Sequence, residues 1–376
     1  MGRRQNPNYL RNHSKGDLMK KIVKAGLLII AMILMMVSTV SAKKMKVGFI
    51  YIGPPGDHGW TYSHDQSRLE VENVLGDHVE TTYVEGVPEG PDAERAIAKL
   101  AETGHKLIFT TSFGYMEPTL KVAKRFPDVY FEPATGYKQS SNVATYSARF
   151  YEGRYVQGVI AGKMSKSGII GYIASFPIPE VIRGINAFML GAQTQNPDIK
   201  VKIIWVYTWF DPPKEADAAK IMMDQGADII TQHTDSTAAL QAAASRNVYA
   251  FGQASDMIQF APKTQLTAIL DNWGAYYISR TADALLKKWK GGGDTWNGMK
   301  EGMVGMAPFT NMPTSVSTLA RRAMEVIRSG ELHPFKGPVY DQDGVLRIKD
   351  GEVPEDHPLL TTMNWYVKGV DGKLPK

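Results

Sequence analysis

From Val47 onward the chain alternates short apolar or β-branched runs with stretches of helical spacing. Val47–Ile52, Val79–Val84, Leu107–Thr111 and Val129–Phe131 read as strands. Between them, Tyr62–Leu75, Ala93–Thr103 and Met116–Arg125 place apolar residues three and four apart and read as helices. After a further helix over Tyr151–Met164 the pattern restarts. Strands are expected at Ile169–Ala174, Val201–Val206, Ala227–Thr231, Tyr249–Gly252 and Leu266–Leu270, and helices at Val181–Gln195, Lys214–Gln225 and Thr237–Ser245. Repeated βαβ units imply mainly parallel sheets, and two runs of them imply two similar α/β lobes. The tail carries a helix over Tyr276–Lys290, a Gly291-Gly292-Gly293 turn, a short run Met303–Met306, a helix over Val316–Gly330 and a hairpin over Tyr340–Ile348 around Asp341-Gln342-Asp343-Gly344. No low-complexity linker separates the runs, so strands crossing between lobes would form a hinge.

The first 42 residues follow a different logic. Lys20, Lys21 and Lys24 precede an apolar run, Ala25–Val37, and Val40-Ser41-Ala42 supplies the small residues of a cleavage site. This reads as a signal peptide with Met1–Leu18 as an upstream extension, and the apolar run is short for a membrane span. The leader also changes the charge argument. The whole chain carries 43 basic and 38 acidic residues, but seven basic and one acidic residue lie in the leader, leaving 36 against 37, or −1. The basic balance therefore gives no reason to expect a nucleic-acid partner. The absence of cysteine excludes a lipidated cysteine anchor, a disulfide framework and thiolate metal sites. A soluble periplasmic chain is the expectation.

Motifs for chemistry are sparse. Gly53, Gly56 and Gly59 give G-x-x-G-x-x-G, which is not the dinucleotide fingerprint, and G-x-x-x-x-G-K-[ST] and G-x-S-x-G are absent. His58, His64 and Asp65 lack the spacing or company of metal ligands. Asp57, Asp65, Asp211, Asp235 and Asp256 fall at or near predicted loops, where aspartates usually cap or turn. Two of them converging as acid and base would make a glycosidase, but their spacing does not demand it. No catalytic residue, metal or cofactor is expected.

The aromatic placement is more informative. Trp60, Phe113, Phe176, Trp209, Phe210 and Trp273 each fall just beyond a predicted strand, where open α/β sheets present ligand sites. Asp256 and Asn272 lie at other strand ends and can accept, or donate and accept, hydrogen bonds. Aromatic walls with a few polar groups suit a flat heterocyclic ligand; packing between lobes is the plain alternative.

The stretches VGFIYIGPPGDHGWTYSHDQ, FPDVYFEPATG, RFYEGRYVQGVIAG, GINAFMLGA, DPPKEADAAKIMMDQGADIITQHTDS and FGQASDM, in this order, resemble the basic membrane protein family of ABC-transporter substrate-binding components. The resemblance covers nearly all of the chain beyond the leader. It implies the periplasmic-binding-protein fold of the sugar-receptor type (type I), an α/β architecture of two doubly wound lobes joined by a hinge. The implied N-terminal lobe is 43–150 plus about 274–308, and the C-terminal lobe 151–273 plus about 309–376. It also implies a purine-like ligand, an ABC permease partner in the inner membrane and a monomer. Asp57 and Trp60 match the acid and stacking aromatic of the family's first loop, with Thr61 in place of its Asn. Trp209 or Phe210 matches the second stacking aromatic, and Asp256 the ribose-binding acid. The Lys that joins that acid is missing, and Asn272-Trp273 stands at its strand end; Ala134 or Thr135 replaces a further aspartate. Bulk from Trp273 where a ribose would sit favours a free base such as adenine over a nucleoside. The rival readings are a nucleoside hydrolase and a sensor that presents its closed state to a membrane receptor.

Overall fold

The computed structural model describes residues 43–375; the leader lies outside them. The chain runs β1 (Met45–Ile50), α1 (Trp60–Leu75), β2 (Val79–Val84), α2 (Pro91–Glu102), β3 (Leu107–Thr110), α3 (Met116–Arg125), β4 (Tyr130–Pro133) and β5 (Thr145–Ala148). It continues through α4 (Phe150–Met164), β6 (Ile169–Ala174), α5 (Pro179–Gln193), β7 (Lys200–Trp205), α6 (Pro212–Asp224), β8 (Ile229–His233), α7 (Ala238–Ser245), β9 (Tyr249–Gly252) and β10 (Gln265–Asp271). Then follow α8 (Gly274–Leu285), β11 (Asp294–Asn297), β12 (Val304–Met306), α9 (Thr314–Arg328), β13 (Val339–Tyr340), β14 (Leu346–Ile348), α10 (Asp356–Thr361) and β15 (Val370–Asp371). Helices α2, α5 and α6 each begin two residues earlier than their apolar spacing suggests. Pro91, Pro179 and Pro212 are their first residues, where a missing N–H costs nothing.

Two sheets carry the fold. The first has the parallel order β2-β1-β3-β4. Parallel bridges Phe131–Val143 and Ala134–Tyr146 bring β5 alongside β4, and β11 pairs in parallel with β5. The second has the order β12-β10-β9-β8-β6-β7-β15, parallel except at the β10–β12 edge. This is the doubly wound α/β architecture expected of a periplasmic-binding-protein fold. Strand alternation sends neighbouring side chains to opposite helical layers. Val47, Phe49, Leu107 and Phe109 join one core with Val71 and Tyr277, whereas Ile50 and Ile108 join another with Ile97, Leu100 and Val122. In the second sheet Ile173 and Ile230 meet Ala218, Met222 and Leu240, while Ile170, Tyr172 and Phe251 face Val156, Ile185 and Phe188. Helices α4 and α5 approach closely enough that a Cβ on Gly158 would sit 2.0 Å from the Phe188 carbonyl oxygen.

The chain passes between the sheets at residue 149, at 272–273 and at 298–303. The third passage lies earlier than the boundary near 308, because β12 pairs with β10 of the second sheet. Beside the second passage, Glu132 of β4 is fully buried and accepts hydrogen bonds from Tyr276 Oη (2.6 Å), Arg280 Nε (2.5 Å) and Trp289 Nε1 (2.6 Å). Burial pushes its carboxyl above the usual range, opposed by the Arg280 charge and these three donors. The group thus ties β4 to α8 and to the turn after it. Glu132→Ala strands Arg280 and two ring donors; an unfolding free energy lower by about 3 kcal/mol is expected in urea titration.

Candidate functional site

The parallel strands of each sheet all end at one edge, so the residues that follow them collect there. Ten residues line a small, narrow cavity that is partly open to solvent. Five come from the first sheet's side: Ile52 after β1, Trp60 at the start of α1, Ser112 and Phe113 after β3, and Thr135 after β4. Five come from the second: Glu180 in the first turn of α5, Trp209 after β7, His233 ending β8, Asp235 just beyond it, and Gln253 after β9.

Trp60 is the most firmly held of these. Its Nε1 donates to the Thr111 carbonyl at 2.7 Å, and its ring meets the edges of His64, Trp273 and Phe150 at 4.5, 5.6 and 5.9 Å. Trp209 packs on Phe176 at 5.2 Å and on His233 at 6.5 Å, and its buried Nε1 has no protein partner. His233 Nε2 lies 3.5 Å from Glu180 Oε1, its Nδ1 is buried without a partner, and burial lowers the ring's proton affinity. Burial first, and then the carboxylates of Asp57, Glu215, Asp271 and Glu180, push the Asp235 carboxyl well above the usual range. No Lys or Arg lines the cavity. Its polar groups therefore suit a ligand rich in N–H donors and offer no charge partner to a phosphate.

Residues on the two sides also touch beside the cavity. Ser63 Oγ donates to the Ala254 carbonyl at 2.8 Å, Ser255 Oγ donates to the His58 carbonyl, and the His58 and Phe260 rings lie 4.7 Å apart. Gly59 backs directly onto Asp235: a Cβ there would lie 2.2 Å from the Asp235 carbonyl oxygen.

Of the residues singled out in the sequence, Trp60, Phe113 and Trp209 line the cavity. Phe176 stands behind Trp209, and Phe210 does not reach the cavity. Asp57 is a helix cap: its carboxylate accepts from the backbone N–H groups of Gly59 (2.8 Å), Thr61 (2.9 Å) and Tyr62 (2.9 Å). Burial pushes it up to about 6 against those bonds. Asp256 is exposed and accepts from Gln265 Nε2 (2.7 Å) and the Ile258 N–H (3.1 Å). Asn272 donates to the Gly302 carbonyl at 3.0 Å, and both residues border a separate open groove beside the second passage. Trp273 is fully buried, stacked on His64 at 4.9 Å, so its bulk backs Trp60 and does not fill the cavity. Among the described residues no group of three or more His, Cys, Asp or Glu is arranged to hold a metal. Sequence reading missed Ile52, Ser112, Thr135, Glu180, His233 and Gln253, and took Asp235 for one loop aspartate among several. The strand-end position that marked the aromatics marks most of these as well.

A family model described as "ABC transporter substrate-binding protein PnrA-like" matches residues 44–328. The chain belongs to this family. It is 65% identical over 334 residues to a purine-binding protein of Brucella abortus, covering 89% of this chain and 95% of that one. A Haloferax volcanii protein whose name describes an ABC-transporter glucose-binding component is 35% identical, over 88% of this chain and 81% of its own length. Among solved structures, an ABC-transporter solute-binding protein from Aeropyrum pernix superposes with a TM-score of 0.67 at 19% identity, over 83% of this chain and 94% of that one. One from Conexibacter woesei gives 0.60 at 21%, over 77% and 98%. These two show the fold, the type I periplasmic-binding-protein kind. Substrate-binding proteins of ABC importers work outside the cytoplasmic membrane, with a small-molecule ligand and a membrane permease. No helix among the described residues is long and apolar enough to cross a membrane.

Within this family member, the reassignment of Asp57 has a direct check. Asp57→Ala uncovers three N–H groups at the start of α1, and a loss of about 2 kcal/mol of stability is expected from the urea midpoint. A variant as stable as the parent would show that the cap is dispensable.

Proposed function

We propose that this chain is the periplasmic receptor of an ABC importer and that it holds a purine in the cavity, the free base in preference to the nucleoside. The observation that carries the reading is the cavity's composition: the Trp60 and Trp209 indoles and Phe113 beside the acceptors Asp235 and Glu180, with no Lys or Arg. Indole faces stack heterocycles, and carboxyl oxygens, protonated or not, accept from their N–H groups. The name of the Brucella abortus relative supports the purine class.

The preference for a bare base stands on a different footing from the one expected from sequence. Trp273 is buried and does not line the cavity. Instead, the acid assigned to ribose, Asp256, is committed to Gln265 and Ile258 away from the cavity, and no Lys lines it. The hydroxyls of a ribose would enter a small space without the acid and Lys that the resemblance assigns to them. In isothermal titration of ligand-free protein, adenine is expected to bind at least tenfold more tightly than adenosine; equal or tighter adenosine binding overturns the preference. A tight glucose complex with no purine binding would transfer the reading to the sugar class suggested by the Haloferax volcanii name. Cleavage of adenosine at catalytic protein amounts would make it an enzyme.

Trp60→Ala removes one stacking face and should weaken adenine binding by about 1–3 kcal/mol. An unchanged dissociation constant would take Trp60 out of the site.

Ligand enclosure in this reading is a hinge closure through the three passages, working as a monomer that the permease meets in its closed form. A ligand drives closure only through contacts that are better in the closed state. Gly59 is a point of close apposition between the two sides. Gly59→Ala puts a methyl into the Asp235 carbonyl, so the variant should stay open: adenine affinity falls at least tenfold, and small-angle scattering with saturating adenine shows no contraction. Native affinity in the variant would show that closure does not bring Gly59 to Asp235.

A further inference from the structure

Behind the cavity lining lies a charged side chain that the reading above does not use. Arg154 of α4 is fully buried and has no ion-pair partner among the described residues. Its Nη1 donates to Gln157 Oε1 at 3.2 Å and to Thr231 Oγ1 at 3.4 Å, its Nη2 donates to Gln253 Oε1, and its Cζ lies 5.5 Å from the centre of the Tyr172 ring. Asp271 and Glu180 favour its charge from beyond ion-pair distance, but no carboxylate touches it, so its direct contacts are neutral acceptors.

A guanidinium only donates. Whatever atom of the Gln253 amide faces Arg154 must therefore be the carbonyl oxygen, and the NH₂ end is left over. Gln253 is buried, it lines the cavity, and among the described residues its Nε2 donates to no protein group. A free glutamine offers a ligand either end; this one offers N–H alone. Across the same cavity Asp235 and Glu180 offer acceptors.

We propose that Arg154 is a positioning residue that locks Gln253 as a hydrogen-bond donor, and that this makes the cavity select a purine presenting a ring-nitrogen acceptor at that wall and N–H groups to Asp235. The inference rests on the purine reading and sharpens it. Adenine carries both kinds of group on its rim. A base with an N–H where Gln253 points would set donor against donor in a buried place, leaving both unpaired.

The test uses the mature protein with adenine and with 1-deaza-, 3-deaza- and 7-deazaadenine, each of which replaces one ring acceptor by C–H. The native protein is expected to bind at least one analogue about tenfold or more weakly than adenine. In Gln253→Met, which keeps the length but not the donor, that gap should fall below threefold, with adenine weakened towards the analogue. In Gln253→Glu one carboxylate oxygen still meets Arg154 and the other turns an acceptor to the ligand, so adenine should bind more weakly than to Gln253→Met. Arg154→Met should close the same gap with Gln253 still present, because the amide can then turn; if that variant does not fold, the two Gln253 variants decide. A purely structural Arg154 would change the melting temperature and leave the ratio of affinities untouched. A gap that survives in Gln253→Met, or three analogues that bind the native protein as well as adenine does, overturns the proposal while the purine reading stands. A native protein that binds no purine overturns both.

Discussion

The buried stack of His64 on Trp273 holds the candidate site together. Its rings lie 4.9 Å apart and 10° from parallel, and His64 Nδ1 meets Tyr277 Oη at 2.5 Å, which in turn meets Tyr146 Oη at 2.7 Å. Burial keeps the imidazole neutral by lowering its proton affinity, so one ring nitrogen can hydrogen-bond without carrying a charge into the core. The stack joins α1, which carries Trp60, to the chain where it passes from β10 to α8, and through Tyr146 to β5. Trp60 leans its edge on both members. The orientation of the exposed indole face in the cavity is thus set by the packing that also joins the first sheet to the second passage. A change in this stack would alter the cavity wall and the second passage together.

The second constraint is the direction of the strands. Because the sheets are parallel, the residues after each strand converge from both sides on one place, and that convergence brings five side chains from each side to a single small cavity. The same convergence gathers carboxylates. Asp235 feels Asp57, Glu215, Asp271 and Glu180, and the nearby positive charges of Arg154 and Arg183 are buried behind the lining residues. Such a place favours a neutral, donor-rich ligand and disfavours an anion. The chemistry of the proposed ligand class follows from this distribution as much as from the aromatic walls.

The alternating pattern made most of the architecture legible. Strands β2, β6 and β9 and helix α3 lie where the apolar spacing places them to the residue. Three helices start before their apolar spacing begins, because a proline occupies the first helical position. The short pairings of β11 with β5 and β15 with β7 left no signal, because four or two residues have no period to detect. At the candidate cavity, the strand-end rule picks out Trp60, Phe113 and Trp209, which line it, but as applied to aromatics it passes over Gln253 and His233, which line it too. Trp273 lies away from the cavity because position after a strand does not say which way a side chain points; His64 and Tyr146, distant in sequence, draw that indole into the core. Asp256 misled through its match to a motif, whereas its carboxylate is occupied by Gln265 and the Ile258 N–H.

The central claim is that a purine ring lies in the cavity between the two sheets, against Trp60 and Trp209 and in hydrogen-bond reach of Asp235. A crystal structure of the protein with adenine bound tests it most directly. The account predicts ring density against both indole faces, with an adenine N–H about 2.9 Å from the Asp235 carboxylate. Adenine found in the open groove beside Asp256 and Asn272, or a cavity filled by a different class of molecule that adenine does not displace, would contradict it.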